Sequence, residues 1–208
     1  MTTPNKLWSL EEAQAMKGQW QNQWHKYDVY GHTEKVVEAL KERNAPLELI
    51  AAGILHDIGK PAVATIDIGE DGNTEYVNGH VSYSFHGHEE KGYEMIMAMP
   101  NSIFSDLNLD KNEIAEIVRN HYLIQPFVKK IRNSEAISEK YFHLNELNAK
   151  LNNGVSPIKN ELIEMYYADT IGKGFPELNK LNLAVYNTIK YQSNEFEKFV
   201  GRQKCSSF

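Results

Sequence analysis

Five stretches of this sequence repeat apolar residues at helical spacing, and each carries a histidine or aspartate in line with the apolar residues. In "YGHTEKVVEALKERN", His32 shares a face with Val36, Ala39 and Leu40, the i, i+4, i+7, i+8 pattern of an amphipathic helix. In "PLELIAAGILHDIG" the face is Leu49, Ala52, Gly53 and His56, with Asp57 beside it. "GHEEKGYEMIMAMP" aligns His88, Gly92, Met95 and Met99, and "LDKNEIAEIVRNHYL" aligns Ile114, Ile117, Val118 and His121. "PIKNELIEMYYADTIGKG" aligns Ile158, Leu162, Met165 and Asp169. A polar group on a buried face must be hydrogen-bonded, paired or bound to a metal, because isolated burial costs a few kcal/mol or more. The pattern therefore favours folds in which several helices turn these faces toward one interior.

The remaining punctuation completes an all-α reading. Ser9 followed by Glu12 is a capping-box pattern and opens a predicted helix over 9–24. Asn44 ends the second helix, Pro46 opens the third and Gly59 stops it. Residues 61–85 are β-prone around Glu70-Asp71-Gly72-Asn73, so a small hairpin or ordered loop is expected there. Pro100 closes one helix and Asp110 caps the next. A helix is predicted over 134–151, then a break at "NNGVSP", then a last helix over 176–200. The expected architecture is a bundle of about seven or eight helices. It forms a single domain over 1–208, with its core over about 28–175.

Composition bounds the partners. The net charge of −6 argues against a surface built to attract duplex nucleic acid or anionic lipid, though not against a small phosphorylated substrate. One cysteine, Cys205, allows neither an intrachain disulfide nor a thiolate zinc cluster. There is no signal-peptide pattern and no apolar run of membrane-spanning length, so a cytoplasmic protein is expected.

Each polar residue in the stripes also has a bland reading. A lone histidine such as His88 is commonly a satisfied core side chain, and His56-Asp57 suits a helix C-terminus. His121 suits a helix end, and Asp169 a cap of the turn "ADTIGKG". These readings are independent of one another, so their coincidence in five helices favours convergence on a divalent-metal site. His25 and His143 are read as structural or exposed, and His80 as part of the loop.

The order His32, His56-Asp57, Asp169 resembles the H…HD…D pattern of the HD-domain metal-dependent phosphohydrolase superfamily, over roughly residues 28–175. "LHDIGKP", "HGHEEKGYEM" and "EIAEIVRNHYL" are similar to the HD domain of bacterial tRNA nucleotidyltransferases (CCA-adding enzymes) and poly(A) polymerases. The nucleotidyltransferase domain is missing from the pattern, since only about thirty residues precede His32, so a stand-alone hydrolase-like domain is expected.

The resemblance implies that His32, His56, Asp57 and Asp169 hold one metal ion. It implies that Asp57, His88 and His121 hold a second, with Asp57 shared. Of the crowded His80, His86 and His88, His88 matches the GHE pattern. A nitrogen and oxygen donor set suits Mn, Fe, Co, Ni or Zn, or Mg for a single ion. The implied chemistry is hydrolysis of a phosphate ester on a nucleotide, cyclic nucleotide or RNA end, through metal-activated water. Asp57, Lys60 and Glu89 are the catalytic candidates, with Glu89 orienting a water or a histidine. Lys60, His86, Lys91 and Arg119 are the substrate-binding candidates. Two alternatives use the same residues: a di-iron oxygenase of the myo-inositol oxygenase type, and a non-catalytic nucleotide-binding domain.

Overall fold

The structure, a computed structural model, describes residues 4–177 and 179–205 and is helical through most of its length. The Cys205 side chain and residues 206–208 lie outside the described part. A 3-10 turn, Pro4–Ser9, and a one-turn helix α1, Glu11–Gln14, precede an irregular segment that runs to Asp28. The continuous helix predicted over 9–24 does not form. The Ser9 hydroxyl donates to Lys6 O at 2.7 Å instead of capping α1, and Gly18 takes φ +72°. The Asp28 carboxylate organises the segment by accepting from Gly18 N at 2.7 Å and Gly31 N at 2.8 Å. The second of these bonds caps α2, Val29–Glu42.

Next come α3, Leu47–Leu55, and a single turn α4, Lys60–Val63. Gly59 does not end α3 through a left-handed cap; its φ is −73°. Glycine is required there because a Cβ would collide with the His88 carbonyl oxygen on the neighbouring helix. The insertion expected over 61–85 is two small antiparallel ladders. β1, Thr65–Ile66, pairs with β4, Tyr83–Ser84, and β2, Tyr76–Val77, pairs with β3, His80–Val81. Asn78 and Gly79 form the β2–β3 turn with φ of +52° and +83°, the two-residue geometry that follows strand twist. The Asp67 carboxylate accepts from Ser82 and Ser84 hydroxyls at 2.7 and 2.6 Å and fixes the outer ladder.

The rest is α5, His88–Ala98; α6, Ser102–Ser105; α7, Lys111–Asn120; α8, Gln125–Asn133; α9, Ile137–Asn153; α10, Lys159–Gly172; α11, Lys180–Tyr191; and α12, Glu195–Cys205. The Asp110 cap forms, accepting from Asn112 N and Glu113 N. Helix α8 was not anticipated, and the single helix predicted over 176–200 is broken at Gln192, which adopts φ +51°.

Helix α3 is the axis of the domain. Every residue from Leu49 to Leu55 is buried, as an all-apolar helix must be. It packs between α2 and α7 and touches α10. Helix α10 lies along α2, and α5 lies along α7. Helices α8, α9, α11 and α12 pack beside this group. The buried stripe residues Val36, Leu40, Leu49, Ile117, Val118, Leu162 and Met165 join the core, each worth about 1.5–3 kcal/mol of apolar transfer. Burying those stripes carries the five polar side chains inward. No described helix is long and apolar enough to cross a membrane.

Candidate metal centre

His56 sits at the C-terminal end of α3 and Asp57 in the turn that follows, both 0–1% exposed. Neighbouring residues on a helix diverge by about 100°, so the two side chains reach different points. His56 Nε2 lies 3.3 Å from His32 Nε2 on α2 and 3.1 Å from Asp57 Oδ2. His32 Nε2 lies 3.1 Å from Asp169 Oδ1 on α10 and 3.6 Å from Asp57 Oδ2. The other carboxylate oxygen faces a second group. Asp57 Oδ1 is 3.4 Å from His88 Nε2 and 3.8 Å from His121 Nε2, and those two nitrogens are 3.2 Å apart. All six residues taken as metal ligands thus meet, and Asp57 divides its two oxygens between two histidine groups.

Backbone carbonyls fix three of the rings. His56 Nδ1 faces Gly53 O at 2.8 Å, His88 Nδ1 faces Phe85 O at 2.7 Å, and His121 Nδ1 faces Val118 O at 2.6 Å. A carbonyl only accepts, so each Nδ1 carries the hydrogen and each Nε2 offers a lone pair to the cluster. Two lone pairs held 3.2–3.3 Å apart repel unless a cation or proton stands between them. Burial is the main influence on the ring pKa values and holds His32, His88 and His121 below the usual range, His121 at about 3. At His56 burial also opposes the charge, but the Asp57 carboxylate outweighs it and raises the pKa. Burial would raise the carboxyls as well. His56 and Lys60 overcome it at Asp57, and Lys173 and His32 overcome it at Asp169, so both stay well below the ordinary value.

The donor set fits divalent metal. Donors bound to one ion at about 2.0–2.2 Å must lie roughly 3–3.5 Å from each other; five of the pairs above lie at 3.1–3.4 Å, and His32–Asp57 and His121–Asp57 are longer at 3.6 and 3.8 Å. Among the described residues, buried His32 Nδ1 has no hydrogen-bond partner, and Asp57 Oδ2 is met only by the ion pairs to His56 and Lys60. Three imidazoles kept uncharged by burial, a fourth beside a carboxylate, ionised carboxylates and no sulfur suit first-row divalent ions. Glycine makes the convergence sterically possible at two helix contacts. Gly59 admits α5, and Gly172 admits α10, where a Cβ would stand 3.1 Å from His32 Nδ1.

The other side chains singled out in the sequence lie in different surroundings. His25, read as structural or exposed, reaches the cluster: its ring centroid is 5.1 Å from that of His32, and His25, His32 and Asp169 are grouped closely enough to share an ion. Burial, then the charge of Lys60, pushes its pKa well down. His86 is exposed, with no hydrogen bond or ion pair to the cluster among the described residues. Lys91 pairs with Glu94 at 3.2 Å and is 42% exposed, so it sits on a solvated face. Arg119 is held by Glu90 at 2.8 and 3.0 Å and lies over the Tyr93 ring. Glu89 approaches His88 from behind, 3.1 Å from Nδ1, which suits orienting the ring rather than touching a water between the ligands. Lys60 is buried, with Nζ 2.7 Å from both Asp57 Oδ2 and Gln21 Oε1. His80 stacks on Trp20 at 3.5 Å, and His143 pairs with Glu146.

Three contributors escaped the sequence reading. Gln21 lies in the irregular N-terminal segment, where no periodicity marks an inward face. Tyr122 stands edge-on to His88 with centroids 5.9 Å apart, one residue past a recognised ligand. Lys173 pairs with Asp169 at 2.8 Å, four residues on, a spacing that the sequence did display.

No curated protein and no solved structure matches the chain. Residues 25–172, well over half of the chain and enclosing every residue of the cluster, match the family model described as HD domain. HD domains bind divalent metals and are generally metal-dependent phosphohydrolases, and this chain belongs to that family.

Proposed function

We propose that this chain hydrolyses a phosphate ester on a nucleotide, cyclic nucleotide or RNA end, using one or two divalent metal ions. His32, His56, Asp57 and Asp169 would hold one ion, and Asp57, His88 and His121 the other. The observation that carries this reading is the division of Asp57 between two groups of facing imidazole nitrogens. A bound divalent ion supplies Lewis acidity toward phosphoryl oxygens and lowers the pKa of water to about 7.

The chain supplies positioning. Carbonyls of Gly53, Phe85 and Val118 hold three imidazoles in the ligating tautomer, so no ring must turn when substrate arrives. Lys60, buried between Asp57 and Gln21, offers its ammonium to a non-bridging oxygen. Glu89 orients His88 from behind. Tyr122, 43% exposed and packed edge-on to His88, brings a solvent-facing ring to the cluster. The resemblance of "LHDIGKP" and "HGHEEKGYEM" to the tRNA nucleotidyltransferase branch gives the substrate its direction toward nucleotides and RNA ends.

The test pairs metal analysis with turnover. Chelator-treated protein should lose hydrolysis of aryl phosphate esters, and one of Mn, Fe, Co, Ni, Zn or Mg should restore it best. Asp57→Ala should abolish turnover while circular dichroism stays helical. Unchanged hydrolysis in that variant, or protein that binds no ion and regains nothing, overturns the proposal.

A further inference from the structure

Two lysines of this site are neutralised by the carboxylates that would bind metal. Lys60 Nζ lies 2.7 Å from Asp57 Oδ2, and Lys173 Nζ lies 2.8 Å from Asp169 Oδ2. Both are well enclosed, with Lys60 side chain 7% and Lys173 12% exposed. Lys91 and Arg119 differ, since Glu94 and Glu90 serve as their counterions outside the cluster. Lys173 is also fixed through its backbone: its carbonyl accepts from Lys26 N at 3.0 Å, tying it to the segment that carries His25. Its charge acts on both His25 and Tyr122, the partly exposed groups of the cluster.

We infer that Lys173 is a second phosphate-binding cation and that, with Lys60, it selects a dianionic phosphoryl group, as in a monoester, over the singly charged phosphate of a diester. The inference rests on the hydrolase reading above. When Asp57 and Asp169 share their electrons with divalent ions, neither lysine keeps a full counterion. An uncompensated charge in so enclosed a place is strongly disfavoured. The ions add positive charge, while Glu89, the further acid at the cluster, faces the outer nitrogen of His88. The loaded site therefore carries excess positive charge that an anion must answer, and a dianion answers it better than a monoanion. An ordinary helix-end pair four residues apart accounts for the salt bridge but not for its burial at the cluster.

The experiment uses the metal-loaded full chain as wild type, Lys173→Met and Lys173→Arg. Three quantities are read: bound metal, the rise in melting temperature on titration with inorganic phosphate, and the ratio of kcat/KM for an aryl phosphate monoester to that for the aryl diester. Lys173→Met should retain its metal, bind phosphate about tenfold more weakly and lose about tenfold in the ratio, chiefly through KM, as expected for one lost charge-assisted hydrogen bond. Lys173→Arg should recover part of both. Should Lys173→Met fail to fold, Lys173→Gln carries the same comparison. Metal-loaded Lys173→Met with wild-type phosphate affinity and an unchanged ratio overturns the inference alone. Wild-type protein that takes up no metal defeats the hydrolase reading, and the inference falls with it.

Discussion

Gly172 and His32 occupy adjoining space. A Cβ on residue 172 would stand 3.1 Å from His32 Nδ1 and Cε1, and 2.6 Å from Val36 Cγ2. The bare backbone of α10 thereby lets Asp169 come within 3.1 Å of His32 Nε2. Gly172→Ala should push α2 and α10 apart. Overpacking of this kind costs about 1–3 kcal/mol, and metal at the His32–His56–Asp169 group should weaken along with stability. Thermal melts and metal analysis check both. A variant that melts like wild type and keeps its ions would show that the contact relaxes freely.

The two halves of the cluster share Asp57 but differ in their other ligands. His121→Ala should therefore remove a ligand from the second group and leave His32, His56 and Asp169 in place. Losing even an outer partner of a ligand weakens metal binding about 10–100-fold, so loss of the ligand itself should weaken the second ion at least that much. Metal titration should show the higher stoichiometry falling by one ion. Loss of all metal would mean that the groups do not bind separately.

Much of this site was visible in the sequence because burial and helical period act together. His32, His56, His88, His121 and Asp169 each line up with apolar neighbours that have only one interior to enter, so naming the stripe named the residue that joins the cluster. His25 had no such marker. It lies in an irregular segment and reaches His32 through tertiary ties such as Lys26 N to Lys173 O. The same absence of period hid Gln21. The surroundings of Arg119 were hidden for another reason: the partner that takes it, Glu90, is 29 residues away, whereas the Lys91–Glu94 pair lies within one helix turn. The helix break at Gln192 also lacked a signal, since no glycine or proline stands there. Instead the turn is held by Phe196 N donating to Thr188 Oγ1 at 3.1 Å.

Those surface pairs give a negative control. Lys91 and Arg119 are each more than 40% exposed and paired on the solvent side of α5 and α7. Exposed pairs contribute about 0.2–1 kcal/mol. Lys91→Ala and Arg119→Ala should therefore leave kcat/KM for any hydrolysed ester within about twofold of wild type, a difference of about 0.4 kcal/mol. A tenfold loss in either would return that side chain to the substrate path.

Metal should also act as a structural ligand. An ion that binds the folded cluster but not the unfolded chain stabilises by about 2.7 kcal/mol at a hundred times its dissociation constant. Chelation should lower the melting temperature, and re-addition should restore it in a concentration-dependent way. The His121→Ala variant should show a smaller rise than wild type. A melting temperature indifferent to every ion tested would remove the cluster from metal binding.

Away from the cluster, Glu164 joins three helices. Its Oε2 accepts from Arg43 Nε at 2.6 Å, its Oε1 accepts from Tyr186 Oη at 3.1 Å, and Lys190 Nζ lies 3.2 Å away. The Arg43 guanidinium is 4.5 Å from the centre of the Tyr167 ring. Burial works to raise the Glu164 pKa, but hydrogen bonds from Arg43 and Lys190 prevail and hold it below the ordinary value. A carboxyl depressed in the folded state releases its proton more readily there than in the unfolded chain. Its stabilisation is thus complete above the unfolded pKa of about 4.3 and disappears as pH falls through the lower folded value. Glu164→Gln should cost about 1–3 kcal/mol at neutral pH by removing a charged acceptor from Arg43. It should also reduce the loss of stability below about pH 4.3. Denaturant melts of both proteins at pH 7 and across the acid range would show it; identical acid profiles would mean that the Arg43–Glu164 pair adds nothing to folding.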